Sequence, residues 1–168
     1  MSGTRTRVLV TGVGGRSVGH QILSALLLLG EKYDITCTDA DPFSYGLYEV
    51  AKRYVVPSAR EKNYVASILD IIAREKSEVL LPGTEAEIRI LVTEQDRLWA
   101  AGCHLVVSPA DVIELCSDKG ALSLWLAENG YGVPQTASSK NWKSLVSDCG
   151  FPLVAKPASN SGGSRNVA

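Results

Sequence analysis

The chain has 168 residues, 45% of them hydrophobic and 21% charged, with a formal net charge of -1. Ample apolar content with almost no net charge excludes global disorder, and the absence of a basic excess argues against general nucleic-acid binding. A chain of this length suits one domain, or one domain with part of a second, and should bury roughly two-thirds of its unfolded surface.

The N-terminal residues, Met1 to Arg7, carry two arginines but run straight into a strand-like stretch instead of a signal peptide. The longest apolar run, Ala25 to Leu29, falls far short of the roughly 20 residues that cross a bilayer. A protein with no membrane span and a cytoplasmic location is expected. Cys37, Cys103, Cys116 and Cys149 are scattered, with only His20 and His104 as nitrogen donors. No metal site is expected from such spacing, and the thiols read as free or buried in a reducing compartment.

Arg7 to Val13 is a β-rich run that ends in glycines. Val18, Ile22, Leu26 and Leu29 then recur at helical spacing, with Gly30 placed to stop the helix. Asp34 to Asp39 predicts a second strand, followed by the turn chemistry of Asp41-Pro42. Tyr45 to Lys52 predicts a short helix, and Tyr54 to Val56 a further β-branched run. Val65, Ile68, Leu69 and Ile72 form the buried stripe of the next helix. Val79 to Leu81 predicts a buried strand closed by Pro82-Gly83, then a helix over Glu85 to Ala101 with Ile88, Leu91, Val92 and Leu98 on one face. His104 to Val107 is the next strand, and Pro109 opens a short helix reaching Cys116. Strands alternating with helices predict an α/β fold: a Rossmann-like parallel sheet with helices on both faces.

Past Cys116 the rhythm changes. Asp118 to Asn129 predicts a helix with Leu122, Trp125 and Leu126 inward. A second helix carries Trp142, Leu145, Val146 and Cys149, and Phe151 to Lys156 reads as a strand before a polar, glycine-rich tail. The boundary falls near Leu115 to Ser117, dividing the chain into domains 1–116 and 117–168. Trp99, Trp125 and Trp142 read as core or seam packing, and would offer an interface if exposed.

Three segments carry candidate chemistry. Gly12, Gly14 and Gly15 lie between a strand and a helix, where backbone N–H groups converge and can hold an anion. A dinucleotide fingerprint needs a third glycine at position 17, which is Ser17. Asp39 does stand where a ribose-binding carboxylate would, although it equally reads as a turn former. Thr84, Glu85 and Glu87 follow a strand at the carboxyl edge of the sheet, where ligands bind. Their local roles as a helix cap and dipole complement are compatible with that. Lys156 closes its strand before Ser161-Gly162-Gly163-Ser164-Arg165, a donor-rich stretch without bulky Cβ atoms. That stretch reads either as a phosphate loop or as a linker after a snorkelling lysine.

The order of these elements resembles the start of the ATP-grasp superfamily. The resemblance rests on Asp118-Lys119, on Gly130 to Thr136 (GYGVPQT), on Phe151-Pro152 to Lys156-Pro157, and on Ser161 to Ser164. The first part is similar to carbamoyl-phosphate-synthase large-subunit-like members through VLVTGVGG, TDADP and LLPGTEAEI. The resemblance implies a pre-ATP-grasp domain followed by the beginning of an ATP-grasp domain. It implies that Lys119 and Lys156 contact ATP phosphates, that Ser161, Gly162, Gly163 and Ser164 close over them, and that Arg165 adds a contact. Gly12, Gly14, Gly15, Thr84 and Glu85 would face the substrate.

The implied activity is ATP- and Mg2+-dependent activation of a carboxylate or bicarbonate as an acyl phosphate, which is then passed to an amine. The magnesium ligands of such a protein are expected beyond residue 168. The chain is therefore expected to be inactive alone, as a fragment, a truncated product or one part of a split enzyme. Its tail from Ala158 should be mobile, and its partner would be the missing C-terminal half or a second copy. Two competing readings are an NAD(P)-binding oxidoreductase domain and a non-catalytic α/β binding module.

Overall fold

A computed structural model describes residues 5–15 and 17–158. The chain divides into two compact units, Met1–Ser108 and Pro109–Ala168. The helix at Ala110–Ser117 thus groups with the second unit, because it packs on the helix that follows it.

The first unit is a parallel sheet of five strands. They are β1 (Thr6–Thr11), β2 (Tyr33–Asp39), β3 (Lys52–Val55), β4 (Val79–Leu81) and β5 (His104–Leu105), in the order β3-β2-β1-β4-β5. Interleaved with them are α1 (Val18–Leu28), α2 (Tyr64–Glu75), α3 (Glu85–Leu91) and α4 (Gln95–Ala100). A strand's side chains alternate between faces, so a central strand covered on both sides must be apolar throughout. β1 obeys this: Leu9 joins a core with Ile68, Leu80, Leu91 and Leu98, whereas Val8 and Val10 join another with Leu23, Cys37 and Leu47. Helices α2, α3 and α4 therefore cover one face and α1 the other. The expected Rossmann-like architecture is present.

The local departures have physical causes. In α1 the buried residues are Gly19 and Leu23, whereas Val18 and Leu29 are exposed. Ile22 and Leu26 of the predicted stripe do pack against the core, but its most buried line runs through Gly19 and Leu23, because the helix meets the sheet through a glycine that carries no hydrophobic signal. In α2 the fully buried residues are Tyr64, Ile68, Ile71 and Ile72, with Val65 and Leu69 at the margin. The predicted helix over Glu85 to Ala101 is broken into α3 and α4 by a single 3₁₀ turn at Val92–Glu94. The Thr93 hydroxyl there donates to the Ile90 carbonyl (2.7 Å), a side-chain bond that competes with the helical ladder. Tyr45–Tyr48 forms one 3₁₀ turn in place of the predicted helix, and β3 begins at Lys52.

The second unit contains α5 (Ala110–Ser117), α6 (Lys119–Glu128) and α7 (Trp142–Cys149). None of its described residues is fully buried. Trp125 is exposed where it was expected inward, and so are Trp99 and Trp142. The Trp125 ring stacks on Tyr131 at 6.3 Å, which folds the Gly130–Thr136 segment back along α6. The predicted strand from Phe151 to Lys156 does not form. A strand exists only through pairing, and among the described residues of this unit there is no strand for it to join.

Candidate functional site

The order β3-β2-β1-β4-β5 reverses direction between β1 and β4. Chain connections leave these neighbours toward opposite sides, opening a crevice beyond their carboxyl ends, the general ligand position of open α/β sheets. The sequence-predicted substrate-side residues other than Glu85 lie at this edge. Gly12, Gly14 and Gly15 follow β1, and Thr84 caps α3 just past β4. The two loops touch: a Cβ placed on Gly12 would lie 2.6 Å from Thr84 Cγ2. Gly12 has φ +60°, a backbone conformation that suits glycine.

The close packing that a third fingerprint glycine would provide falls to Gly19. A Cβ there would run into the Thr11 and Gly12 carbonyl oxygens, and one on Gly83 into the Thr11 carbonyl. Ser17 has a different task as the cap of α1. Its hydroxyl donates to the Gly12 carbonyl (2.7 Å) and accepts from the His20 N–H (3.0 Å). Asp39 ends β2 beside Gly14, with one carboxylate oxygen accepting from the Asp41 N–H at 2.9 Å. His20 Nε2 lies 3.2 Å from Glu49 Oε2 on the face covered by α1.

Glu85 does not join the crevice cluster. Its carboxylate is half-exposed and lies 3.8 Å from Arg89, one turn along α3. The acid that does join is Glu87, which is 5% exposed. Glu87 Oε1 accepts from the Tyr64 hydroxyl (3.0 Å) and Oε2 from the Thr84 hydroxyl (2.9 Å). The Glu87 N–H donates to Thr84 Oγ1 at 3.3 Å. Burial pushes the Glu87 carboxyl up from its ordinary value, against the Thr84, Tyr64 and Thr11 hydroxyls, which favour the charged form. The fully buried Thr11 hydroxyl lies beside this group without reaching hydrogen-bond geometry. The same burial raises the Tyr64 phenol. The Thr-x-x-Glu spacing of a capping box marks Glu87 in sequence; Tyr64, twenty-three positions earlier, has no such signal.

The second unit brings together two other predicted segments. The Lys119 N–H donates to the Ala158 carbonyl at 2.9 Å, so Asp118-Lys119 lies beside Lys156-Pro157-Ala158. The Asp118 carboxylate accepts from the Gly120 and Ala121 N–H groups at 2.8 and 2.9 Å. The first-turn amides of α6 are thus already engaged. Both lysines are exposed. Ser161, Gly162, Gly163, Ser164 and Arg165 lie outside the described residues, as does the tail expected to be mobile except for its first residue, Ala158, whose carbonyl accepts from the Lys119 N–H. No group of three or more His, Cys, Asp or Glu residues able to hold a metal ion occurs among the described residues. Nor does any helix among them reach the length and apolarity needed to cross a membrane.

A doubly covered parallel sheet with a glycine loop at its reversal point defines a Rossmann-like domain. The chain belongs to the family described as PylC-like, N-terminal domain, whose model matches residues 8–106. It is similar to formate-dependent phosphoribosylglycinamide formyltransferase from Burkholderia thailandensis, with 26% identity over 97% of this chain and 39% of that protein.

Among solved structures it resembles N5-carboxyaminoimidazole ribonucleotide synthetase from Thermotoga maritima, with a TM-score of 0.62 and 21% identity, covering 94% of this chain and 40% of that one. It also resembles an L-amino acid ligase from Bacillus licheniformis, with a TM-score of 0.63 and 16% identity over 95% and 39% of the two chains. A third neighbour is the biotin carboxylase domain of Hydrogenobacter thermophilus 2-oxoglutarate carboxylase, solved with MgADP and bicarbonate. Its TM-score is 0.63 at 17% identity, over 97% and 37% of the two chains. The chain spans about two fifths of the length of these proteins.

Proposed function

We propose that this chain supplies the substrate-side domain and part of the nucleotide-phosphate site of an ATP-dependent carboxylate–amine ligase. The observation that carries the reading is the 2.9 Å bond from the Lys119 N–H to the Ala158 carbonyl. It ties together two segments, distant in sequence, that each bear an exposed lysine. Two ammonium groups on adjoining segments offset the charge of a polyphosphate, which is the electrostatic requirement of phosphoryl transfer. ATP, when bound with Mg2+, supplies the phosphoryl group that converts a carboxylate or bicarbonate into an acyl phosphate open to attack by an amine.

Within the chain, Lys119 and Lys156 bind and orient the phosphates. Asp118 keeps the first turn of α6 closed, so that Lys119 is presented from an ordered helix end. In this reading the 161–165 segment contributes its serine hydroxyls, glycine amides and Arg165 as further donors. Gly12, Gly14, Gly15 and Thr84 shape the crevice for the substrate, with Glu85 at its rim. The described residues contain no acidic cluster that fits Mg2+, so no step is assigned to a metal ligand of this chain.

The NAD(P) reading is disfavoured by Ser17. Its hydroxyl is committed to the Gly12 carbonyl and the His20 N–H, where a dinucleotide fingerprint has a glycine. Calorimetric titration with Mg-ATP and with NADH tests the reading. Saturable Mg-ATP binding is expected, weakened about tenfold by Lys119→Ala or Lys156→Ala through loss of one charge-assisted contact. Saturable NADH binding without Mg-ATP binding would reverse the assignment.

A further inference from the structure

We propose that Glu87 is a positioning residue, bracing the glycine loop after β1 against the N-terminal ends of α2 and α3. This builds on the reading of that loop as one wall of the substrate crevice, although its test needs no substrate. Three chain segments meet at one carboxylate. Oε1 accepts from Tyr64, the first residue of α2, at 3.0 Å. Oε2 accepts from Thr84, the cap of α3, at 2.9 Å. The same Oε2 bears on Gly12, since a Cβ at that position would stand 2.6 Å away.

Leaving a carboxylate buried is costly unless donors surround it, and an apolar residue would pack a helix interior at less expense. Among the described residues, the groups that face Glu87 are the hydroxyls of Thr84, Tyr64 and Thr11 and, at longer range, the Asp39 carboxylate, with no cation among them. Such a site is a poor device for stability alone. It is a good one for geometry, because two directed hydrogen bonds and a van der Waals stop define where Gly12 can lie. An apolar side chain would fill the space without fixing the loop's position.

Hydrogen exchange followed by NMR separates bracing from general stabilisation, reading in the 168-residue chain the amides of Ser17 and His20, which donate to the Gly14 carbonyl and to the Ser17 hydroxyl at the end of the loop. Glu87→Ala should speed exchange there about tenfold or more, the scale of losing hydrogen bonds to a buried acceptor. Leu98→Ala, a core deletion in α4, serves as a control at matched loss of thermal stability, and should leave those amides within about twofold of wild type when exchange is compared at equal distance from Tm. Glu87→Gln, which keeps an acceptor oxygen, should restore most of the protection. If Glu87→Ala does not fold, Tyr64→Phe and Thr84→Val each remove a single donor and should raise exchange at the same two amides. Equal acceleration by the core control, or no rescue by glutamine, would overturn the proposal. Failure of Mg-ATP or substrate binding would leave this result untouched and count only against the ligase reading.

Discussion

Cys37 and Cys103 illustrate how tertiary surroundings divide chemically identical side chains. Both are buried, and burial pushes the Cys37 thiol up to about 12 and the Cys103 thiol up to about 11. Cys116 and Cys149 are exposed. Because the thiolate is the reactive species, a disulfide-exchange reagent at neutral pH should label two thiols quickly. The other two should react only on unfolding, with intact mass as the readout. Glu87 gives a pH prediction with a definite sign. Its folded pKa lies above the ordinary 4.5, so the folded state binds its proton more tightly than the unfolded chain does. The stabilisation this contributes is complete below 4.5 and is lost as pH rises through the folded value. Glutamine at position 87 does not titrate. The stability advantage of wild type over Glu87→Gln should therefore shrink as pH rises above about 4.5, measured as urea midpoints at each pH.

Helix α1 shows why an element can be foreseen while its seating is not. Its existence was legible from Val18, Ile22, Leu26 and the Gly30 stop, and it indeed ends at Leu28 with Gly30 at φ +64°. Its buried side is marked by Gly19, whose contribution is the absence of a side chain. Hydrophobic periodicity is blind to such a contact, since it records what a residue adds to a core and not what it leaves out. Gly19→Ala would push a methyl into the Thr11 and Gly12 carbonyls, which are backbone atoms held in and beside a central strand. Overpacking of this kind costs about 1–3 kcal/mol, so a clear drop in Tm is expected, whereas Gly15→Ala, with nothing within 4 Å of the added carbon, should leave Tm nearly unchanged. The segment Phe151 to Lys156 is the opposite case. Its β-like composition was readable, but composition cannot provide the neighbouring strand that a ladder requires, and none is present among the described residues of that unit.

The two units differ in how they are held. All of the buried hydrophobic side chains among the described residues lie between Val8 and Leu105, within the first unit. The second exposes Leu124, Trp125, Tyr131, Trp142, Phe151 and Val154. Burial of apolar area is the main favourable term in folding, so residues 1–108 expressed alone should unfold in one cooperative transition with a Tm close to that of the longer chain. Residues 109–168 expressed alone should show no cooperative transition by circular dichroism.

Sequence sufficed for the properties that depend on local pattern: the alternation of strands and helices, the parallel sheet, the glycine loop after β1, the Thr84 cap, and the order of segments that resembles ATP-grasp proteins. These follow from periodicity and turn chemistry, which act over a few residues. Tertiary structure decided which acid matters at the crevice, Glu87 and not Glu85, because two positions turn a helix through about 200° and so separate a buried position from the solvent-facing side of α3. It also decided that Tyr64 is that acid's partner and that Lys119 sits beside the Lys156 segment. Such pairings join positions tens of residues apart, and only the folded path of the backbone brings them within hydrogen-bonding distance.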